Sequence, residues 1–135
     1  MSASPRLPLM IVDDDDDLRD ALADIMTAQG YEVASFSDAR AALSALEGGM
    51  TPFLILLDLM MPGMSGWEFR AAQLKNPTLA VIPVVVVTAA GHLSDAARTL
   101  SNVEVLHKPF ALEILLPVVA RYAAAPGAHV GSLTD

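Results

Sequence analysis

The sequence predicts an α/β domain in which helices cover both faces of a doubly wound, parallel β-sheet. Five short apolar runs alternate along the chain with five segments whose apolar residues recur at helical spacing. Three of the runs are continuously apolar, which is typical of strands that are covered on both faces, and the second and fifth runs are weaker. Strands that each lead into a helix favour right-handed crossovers and therefore a doubly wound sheet.

The apolar runs mark the five expected strands. In chain order they lie at Leu7–Val12, Tyr31–Phe36, Phe53–Leu57, Val84–Val87 and Val103–Leu106. In a doubly wound sheet, a ligand site forms at the carboxyl ends of the strands. Four of these ends carry residues capable of chemistry, namely Asp13 and Asp14, Asp58, Thr88, and His107 with Lys108. We therefore expect one site at this edge of the sheet.

The helical segments follow the strands in the same order. They span Leu18–Met26, Ala39–Leu46, Trp67–Leu74, Leu93–Leu100 and Leu112–Ala120. Gly30 and Gly48 stand where the first two helices should end, and Pro77 follows the third. Pro117 lies inside the fifth segment, where it removes a backbone hydrogen bond to Glu113 and is expected to bend the helix.

The composition of the 135-residue chain limits its partners. The formal net charge is -8 and only eight Lys and Arg residues are present, so the chain lacks the basic surface that direct nucleic-acid binding needs. The absence of cysteine excludes disulfides and thiolate metal sites, and it fits a reducing cytoplasm. The longest apolar stretch is shorter than the roughly 20 residues that span a bilayer, so we expect no membrane association.

Three carboxylates dominate the expected site. Asp13, Asp14 and Asp58 would repel one another unless a cation intervened, and hard oxygen ligands suit Mg²⁺. An alternative for the whole run Asp13–Asp17 is a helix N-terminus, where acidic side chains cap free N–H groups. We assign that role to Asp15, Asp16 and Asp17 only. A capping role for Asp58 is disfavoured because a Pro-Gly loop separates it from the next helix.

Thr88 and Lys108 complete the expected site. Taken alone, Thr88 is the polar end of a β-strand and Lys108 is a surface lysine. At the same sheet edge as Asp58, a hydroxyl donor and an ammonium are the groups that hold the oxygens of a phosphoryl group. A carboxylate assisted by a metal can then act as the nucleophile.

Four segments in this order resemble the receiver domains of bacterial response regulators in two-component signalling. They are VDDDDDLR (Val12–Arg19), LLDLMMPGMSGWEF (Leu56–Phe69), PVVVVTAAG (Pro83–Gly91) and HKPF (His107–Phe110). Each segment alone is modest, but the four together at this spacing are highly specific. The resemblance covers residues 7–124, which leaves residues 1–6 as an N-terminal extension and residues 125–135 as a flexible tail.

The resemblance implies a flavodoxin-like fold with five strands in the order 2-1-3-4-5 and five helices. It implies that Asp58 accepts a phosphoryl group from a histidine kinase or a phosphotransfer protein. Asp14, Asp58 and the backbone carbonyl of Met60 would bind Mg²⁺ directly, with Mn²⁺ as a substitute, and Asp13 would act through water. Thr88 and Lys108 would hold the phosphoryl oxygens, and the Lys108-Pro109 bond would be cis.

The resemblance further implies a phosphoprotein that assists its own phosphorylation and dephosphorylation, not an enzyme with a separate substrate. Output to an unknown downstream protein would use the fourth helix, the fifth strand and the fifth helix, in a monomer or weak dimer. Three departures bear on this output. Val105 replaces the family's usual aromatic residue, the segment from Thr88 to Lys108 is short, and Pro117 interrupts the last helix. Neither Met60 nor Ala90 carries a group that could orient an attacking water, so we expect the acyl phosphate to hydrolyse slowly.

Several alternatives stay open at this point. We expect a free-standing regulator, but the sequence also fits a receiver piece of a hybrid histidine kinase or of a longer regulator. A degenerate receiver that acts only as a binding module is a second alternative. A phosphatase of the haloacid-dehalogenase type is more remote, because it needs a second Asp two residues after the nucleophile, where this chain has Met60.

Overall fold

The sheet contains five parallel strands. The computed structural model describes residues 7–89, 91, 98–100 and 103–124. Within them lie β1 (Leu9–Val12), β2 (Val33–Phe36), β3 (Leu54–Asp58), β4 (Val84–Ala89) and β5 (Glu104–Lys108). The strand order is β2-β1-β3-β4-β5, with every neighbouring pair parallel. This order confirms the doubly wound sheet expected from the resemblance.

Five helices lie in the described part of the chain. They are α1 (Asp16–Ala28), α2 (Ala39–Glu47), α3 (Gly66–Leu74), α4 (Pro77–Ala80) and α5 (Leu112–Ala124). None of them is long and apolar enough to cross a membrane. Most of the helix predicted at Leu93–Leu100 lies outside the described residues, although positions 98 and 99 are helical. The predicted N-terminal extension, the C-terminal tail and Ala90 also lie outside them.

The core has one layer on each face of the sheet, and the central strand β1 shows why a central strand is continuously apolar. Met10 and Val12 pack into the layer beneath α2 and α3. Leu9 and Ile11 pack into the opposite layer beneath α1 and α5. Side chains alternate along a strand, so a strand covered on both faces must be apolar at every position.

The short helix α4 was not predicted from the sequence. Pro77 occupies its first turn and the side chain of Asn76 accepts a hydrogen bond from the Thr78 N–H. The fully buried amide of Gln73 donates to the carbonyls of Leu79 and Ile82 at 2.9 and 3.1 Å. These side-chain partners satisfy backbone groups that a four-residue helix leaves unpaired.

The last helix runs from Leu112 to Ala124 through Pro117 without a break. Its bending at Pro117 stays a prediction. Near its end, Arg121 Nη2 lies 3.1 and 3.2 Å from the two carboxylate oxygens of Glu104, the first residue of β5. The Tyr122 hydroxyl lies 3.3 Å from Glu104 Oε1. These contacts join the end of α5 to the edge strand.

One side-chain hydrogen bond connects α3 to the residues that precede β5. Trp67 Nε1 donates to Thr99 Oγ1 over 3.0 Å. Trp67 is the second residue of α3 and packs against the same core layer as Leu100 and Val105. The start of α3 is thereby joined to positions 98–100.

Candidate functional site

The carboxyl ends of four strands bring the predicted site residues to one edge of the sheet. Asp13 follows β1, Asp58 ends β3, and Thr88 lies near the end of β4. Lys108 ends β5 and pairs in register with Ala89, one position beyond Thr88. The convergence predicted from the sequence is therefore confirmed.

Three carboxylates form an acidic cluster at this edge. Asp13, Asp14 and Asp58 each offer an oxygen, and these oxygens all lie within 4.8 Å of one another. Asp13 and Asp58 are only 4 % and 5 % exposed, whereas Asp14 is exposed. A cation bound here would therefore meet two buried charges and one that opens to solvent.

Asp13 is held by contacts on all its polar groups. Its backbone N–H donates to the Phe36 carbonyl, and its Oδ1 accepts from the Asp15 N–H at 2.9 Å. Its Oδ2 accepts from Lys108 Nζ at 2.9 Å, and its carbonyl accepts from Arg19 Nη1 at 2.8 Å. This carboxylate is thus fixed before any ligand binds.

Lys108 is the positive charge of the site. Its ammonium lies 2.9 Å from Asp13 Oδ2 and 3.7 Å from Asp58 Oδ2. Partial burial acts to lower the pKa of Lys108, but the hydrogen bond and charge of Asp13, with the charges of Asp58 and Asp15, outweigh it and raise the pKa. Lys108 therefore stays protonated at neutral pH. The following bond, Lys108-Pro109, is cis, which confirms that prediction.

Asp58 has an unusually high affinity for a proton. Burial, with the nearby charge of Asp13, raises the pKa of Asp58 from 3.8 to about 6. The charge of Lys108 and the Met60 N–H, which donates to Asp58 Oδ1 at 3.3 Å, act in the opposite direction. A divalent cation beside this carboxylate would lower its pKa, because positive charge favours the ionised form.

Thr88 presents an unsatisfied polar atom. The residue is completely buried, and its Oγ1 has no hydrogen-bond partner within the described part of the chain. A buried hydroxyl without a partner is destabilising by roughly 1–3 kcal/mol. This hydroxyl is thus available to donate to an oxygen that arrives with a ligand.

The loop after Asp58 is held against α3 by a close backbone contact. The Gly66 N–H donates to the Leu59 carbonyl at 2.9 Å. A Cβ at Gly66 would lie 2.6 Å from Leu59 Cα, so only glycine fits. Ser65 and Glu68 cap α3 reciprocally in a capping box, which fixes where the helix begins. The packing of α3 against Leu59 therefore fixes the position of the backbone next to Asp58.

An open recess lies beside Lys108. It has a volume of about 430 Å³ and is lined by Asp15, Leu18, Lys108, Pro109 and Phe110. Its walls come from the start of α1 and from the loop between β5 and α5. The recess adjoins the charged site but presents mainly apolar side chains.

The donor set fits a small divalent cation. Carboxylate oxygens are hard ligands of the kind that Mg²⁺ prefers, and the exposure of Asp14 leaves room for water molecules on the ion. The two buried carboxylates have one lysine between them as a counter-charge. The direct role expected for the Met60 carbonyl stays a prediction.

The structure brings together the carboxylates of Asp13, Asp14 and Asp58 and the ammonium of Lys108. Thr88 lies at the same edge, one position beyond Val87, the register partner of Asp58, whereas His107 is exposed. The structure also confirms the capping role of the acidic residues that follow Asp14, since Asp15 is the N-cap of α1 and Asp16 and Asp17 lie in its first turn. The sequence interpretation missed Arg19, which contacts the carbonyl of Asp13. Its only sequence signal was its position three residues after Asp16, where a helical ion pair forms.

Comparison with known proteins connects this geometry to a family. A family model described as the response regulator receiver domain matches residues 9–120. The chain is 32% identical over 124 residues to the C4-dicarboxylate transport transcriptional regulatory protein DctD of Rhizobium meliloti, covering 90% of this chain and 26% of that protein. It is 34% identical over 118 residues to the response regulator protein FleR of Pseudomonas aeruginosa, covering 85% and 24%. The chain thus spans about a quarter of the length of these two relatives.

Solved structures show the same fold. The chemotaxis protein CheY4 of Vibrio cholerae superposes with a TM-score of 0.74 at 26% identity, covering 87% of this chain and 99% of that one. A CheY-like receiver domain protein from Methanospirillum hungatei gives a TM-score of 0.73 at 30% identity, covering 87% and 94%. In both cases the likeness extends over nearly the whole of the other chain.

Proposed function

This chain belongs to the response regulator receiver domain family, and from that premise we propose that Asp58 is its phosphoacceptor. The donor is the phosphohistidine of a histidine kinase or of a phosphotransfer protein. The observation that carries this proposal is the meeting of buried Asp58 with Lys108, Asp13 and Asp14 at one edge of the sheet. The product is an aspartyl phosphate, and the chain acts as a signalling phosphoprotein instead of an enzyme with a separate substrate.

The transfer exchanges one bond for another at phosphorus. A carboxylate oxygen of Asp58 forms a P–O bond while the P–N bond of the phosphohistidine breaks, and the electron pair of that bond stays on the imidazole nitrogen. Lys108, whose ammonium is 3.7 Å from Asp58 Oδ2, balances charge on the transferred group. The unpartnered hydroxyl of Thr88 donates to one of its oxygens.

We assign the acidic cluster to Mg²⁺, with Mn²⁺ as a substitute. Asp14, Asp58 and the carbonyl of Met60 would hold the ion, and Asp13 would act through a bound water. When bound, the ion neutralises charge on the phosphoryl oxygens and aligns the group for transfer. The protein contributes the placement of these oxygens, and Asp13 is already fixed by its contacts with Lys108 and the Asp15 N–H.

We propose a cytoplasmic protein that switches the signal or relays it. The surface used for this output consists of the helix predicted at Leu93–Leu100 together with β5 and α5. Val105 lies in β5, where the family usually carries an aromatic residue, so this output depends on backbone shifts or on onward transfer of the phosphoryl group. The chain spans about a quarter of the length of the relatives DctD and FleR. A free-standing regulator and a receiver piece of a longer protein are therefore both consistent with the proposed chemistry.

Incubation with acetyl phosphate and Mg²⁺, followed by intact-mass measurement, tests the assignment. We expect the wild-type chain to gain the mass of one phosphoryl group and the Asp58→Asn variant to gain none. Asp24→Asn is a matched control, because it makes the same change at an exposed position of α1. Equal labelling of wild type and Asp58→Asn would rule out Asp58 as the acceptor.

A further inference from the structure

Arg19 connects α1 to the acidic cluster. Its backbone lies in the first turns of α1, and its side chain is only 14% exposed despite its charge. Nη1 donates to the carbonyl oxygen of Asp13 at 2.8 Å, and Nη2 lies 2.5 Å from Asp16 Oδ1. The guanidinium therefore spans from the strand end to the helix start.

The carbonyl that Arg19 holds belongs to the peptide bond between Asp13 and Asp14. Holding this oxygen restrains the plane of that peptide, which can turn only about one soft dihedral on each side, ψ of Asp13 and φ of Asp14. The direction in which the Asp14 side chain leaves the backbone depends on that plane. Asp14 is exposed, and no hydrogen bond to its carboxylate is among those described, so its backbone is what places it.

The second contact of Arg19 keeps the guanidinium in position. Asp16 is exposed and lies three residues earlier on the same helix, where an ion pair alone contributes little to stability. The planar fork of arginine can hold a carbonyl and a carboxylate in two fixed directions at once. Asp16 thus holds the Arg19 guanidinium in place, and the guanidinium in turn holds the carbonyl of Asp13.

We infer that Arg19 is a positioning residue for the metal site: it holds the Asp13–Asp14 peptide so that Asp14 faces the same point as Asp13 and Asp58. This inference rests on the proposed Mg²⁺-dependent function. Arg19 itself touches neither the ion nor the phosphoryl group. Its effect is on how well three carboxylates are pre-arranged before the ion binds.

The direction in which the Mg²⁺ affinity changes when Arg19 is replaced distinguishes this positioning role from a purely electrostatic one. Arg19 is a positive charge near a cation site, so charge repulsion alone predicts that its removal tightens Mg²⁺ binding. A positioning role predicts the opposite, because the carboxylates must then be ordered by the ion itself. A merely structural role predicts a lower unfolding temperature with an unchanged affinity in the folded protein.

Isothermal titration of the full chain with Mg²⁺ provides the test. We expect Arg19→Met to weaken Mg²⁺ binding by about tenfold. Arg121→Met is a matched control, since it removes the same charge and one ion pair with Glu104, at the opposite edge of the sheet. It should bind Mg²⁺ as the wild type does. An affinity of Arg19→Met equal to or tighter than that of wild type overturns the inference.

A second variant keeps the test informative if Arg19→Met does not fold. Arg19→Lys retains the charge but lacks the planar fork, so we expect Mg²⁺ binding about threefold weaker than in wild type. Wild-type affinity in Arg19→Lys would contradict the positioning role. If the wild-type chain itself binds no Mg²⁺, the proposed metal-dependent function fails, which is a different outcome from failure of the role of Arg19.

Discussion

Lys108 Nζ and Asp13 Oδ2, 95 positions apart in the chain, are joined by a hydrogen bond of 2.9 Å. Lys108 lies farther, at 3.7 Å, from Asp58, the residue it is expected to assist. One ammonium therefore compensates two buried carboxylates in the metal-free protein. The balance between these charges leads to the first two predictions.

Lys108→Met should destabilise the metal-free chain. Removing the ammonium leaves Asp13 and Asp58 without a counter-charge, and we expect the free energy of unfolding to fall by about 2 kcal/mol. Saturating Mg²⁺ should restore most of this loss, because a cation again balances the carboxylates. Urea unfolding in a chelator and in Mg²⁺ measures both effects, with Lys75→Met on an exposed position as the control. A loss that is equal in the two conditions would contradict the prediction.

Asp58→Asn should stabilise the metal-free chain above pH 6. The pKa of Asp58 is raised by burial to about 6, so its protonated form contributes stability that is fully present below pH 3.8 and is lost as the pH rises through 6. We expect the variant to be more stable than wild type by up to about 3 kcal/mol at pH 8, and equal to it near pH 4. Denaturant unfolding in a chelator at the two pH values measures this difference. A stability gap that does not change between pH 4 and pH 8 would show that the charge on Asp58 is not its cause.

Thr88→Val should separate stability from phosphoryl binding. Valine has nearly the same shape and removes the buried hydroxyl that lacks a partner in the described residues. We therefore expect the unmodified chain to become more stable by about 1 kcal/mol. Binding of beryllofluoride, a mimic of the phosphoryl group, should weaken by about tenfold because one hydrogen bond to it is lost. Unchanged beryllofluoride affinity would remove Thr88 from the site.

Gly66→Ala should displace the backbone that carries the phosphoacceptor Asp58. The added methyl group would lie 2.6 Å from Leu59 Cα, so the backbone after Asp58 must move. We expect a loss of about 2 kcal/mol in the free energy of unfolding and slower labelling by acetyl phosphate. Gly91→Ala is the matched control, because a Cβ there would meet no atom of the described residues within 4 Å. Similar labelling rates for the two variants would argue that the loop position does not affect the chemistry.

The aspartyl phosphate should be long-lived in the absence of a phosphatase. Met60, two residues after Asp58, is half exposed and carries no group that could orient an attacking water. We expect Met60→Gln to shorten the lifetime by about tenfold by supplying an amide at this position. Loss of the added mass after removal of acetyl phosphate gives the rate, with Leu74→Gln as an exposed control on α3. A wild-type half-life of seconds would contradict the prediction.

Much of the fold followed from local patterns in the sequence. The apolar runs predicted all five strands, most clearly the central ones, whose two faces are both covered, as β1 shows with Leu9 and Met10 in opposite core layers. The edge strands β2 and β5 are only partly buried, and their apolar runs are correspondingly weaker. Predicted strand ends differ from the observed ones by a few residues, since β3 continues to Asp58 and β5 to Lys108. The site was predictable because parallel strands end at one edge, where each candidate side chain directly follows an apolar run.

The parts that were not predicted depend on side-chain contacts between separate segments. Helix α4 has only four residues, too few for a periodic pattern, and is supported by the buried amide of Gln73. The contact of Arg19 with Asp13 depends on how the loop between β1 and α1 folds back. The preference of Lys108 for Asp13 over Asp58 depends on distances that no spacing rule contains.

The hydrogen bond between Trp67 and Thr99 allows the tryptophan fluorescence of the protein to report on this contact. Trp67 is the only tryptophan in the chain, so all indole emission arises from this one ring at the start of α3. An indole that gains or loses a hydrogen-bond partner changes its emission wavelength. Selective excitation of this indole therefore reports, without any added dye, whether the contact between α3 and Thr99 is made.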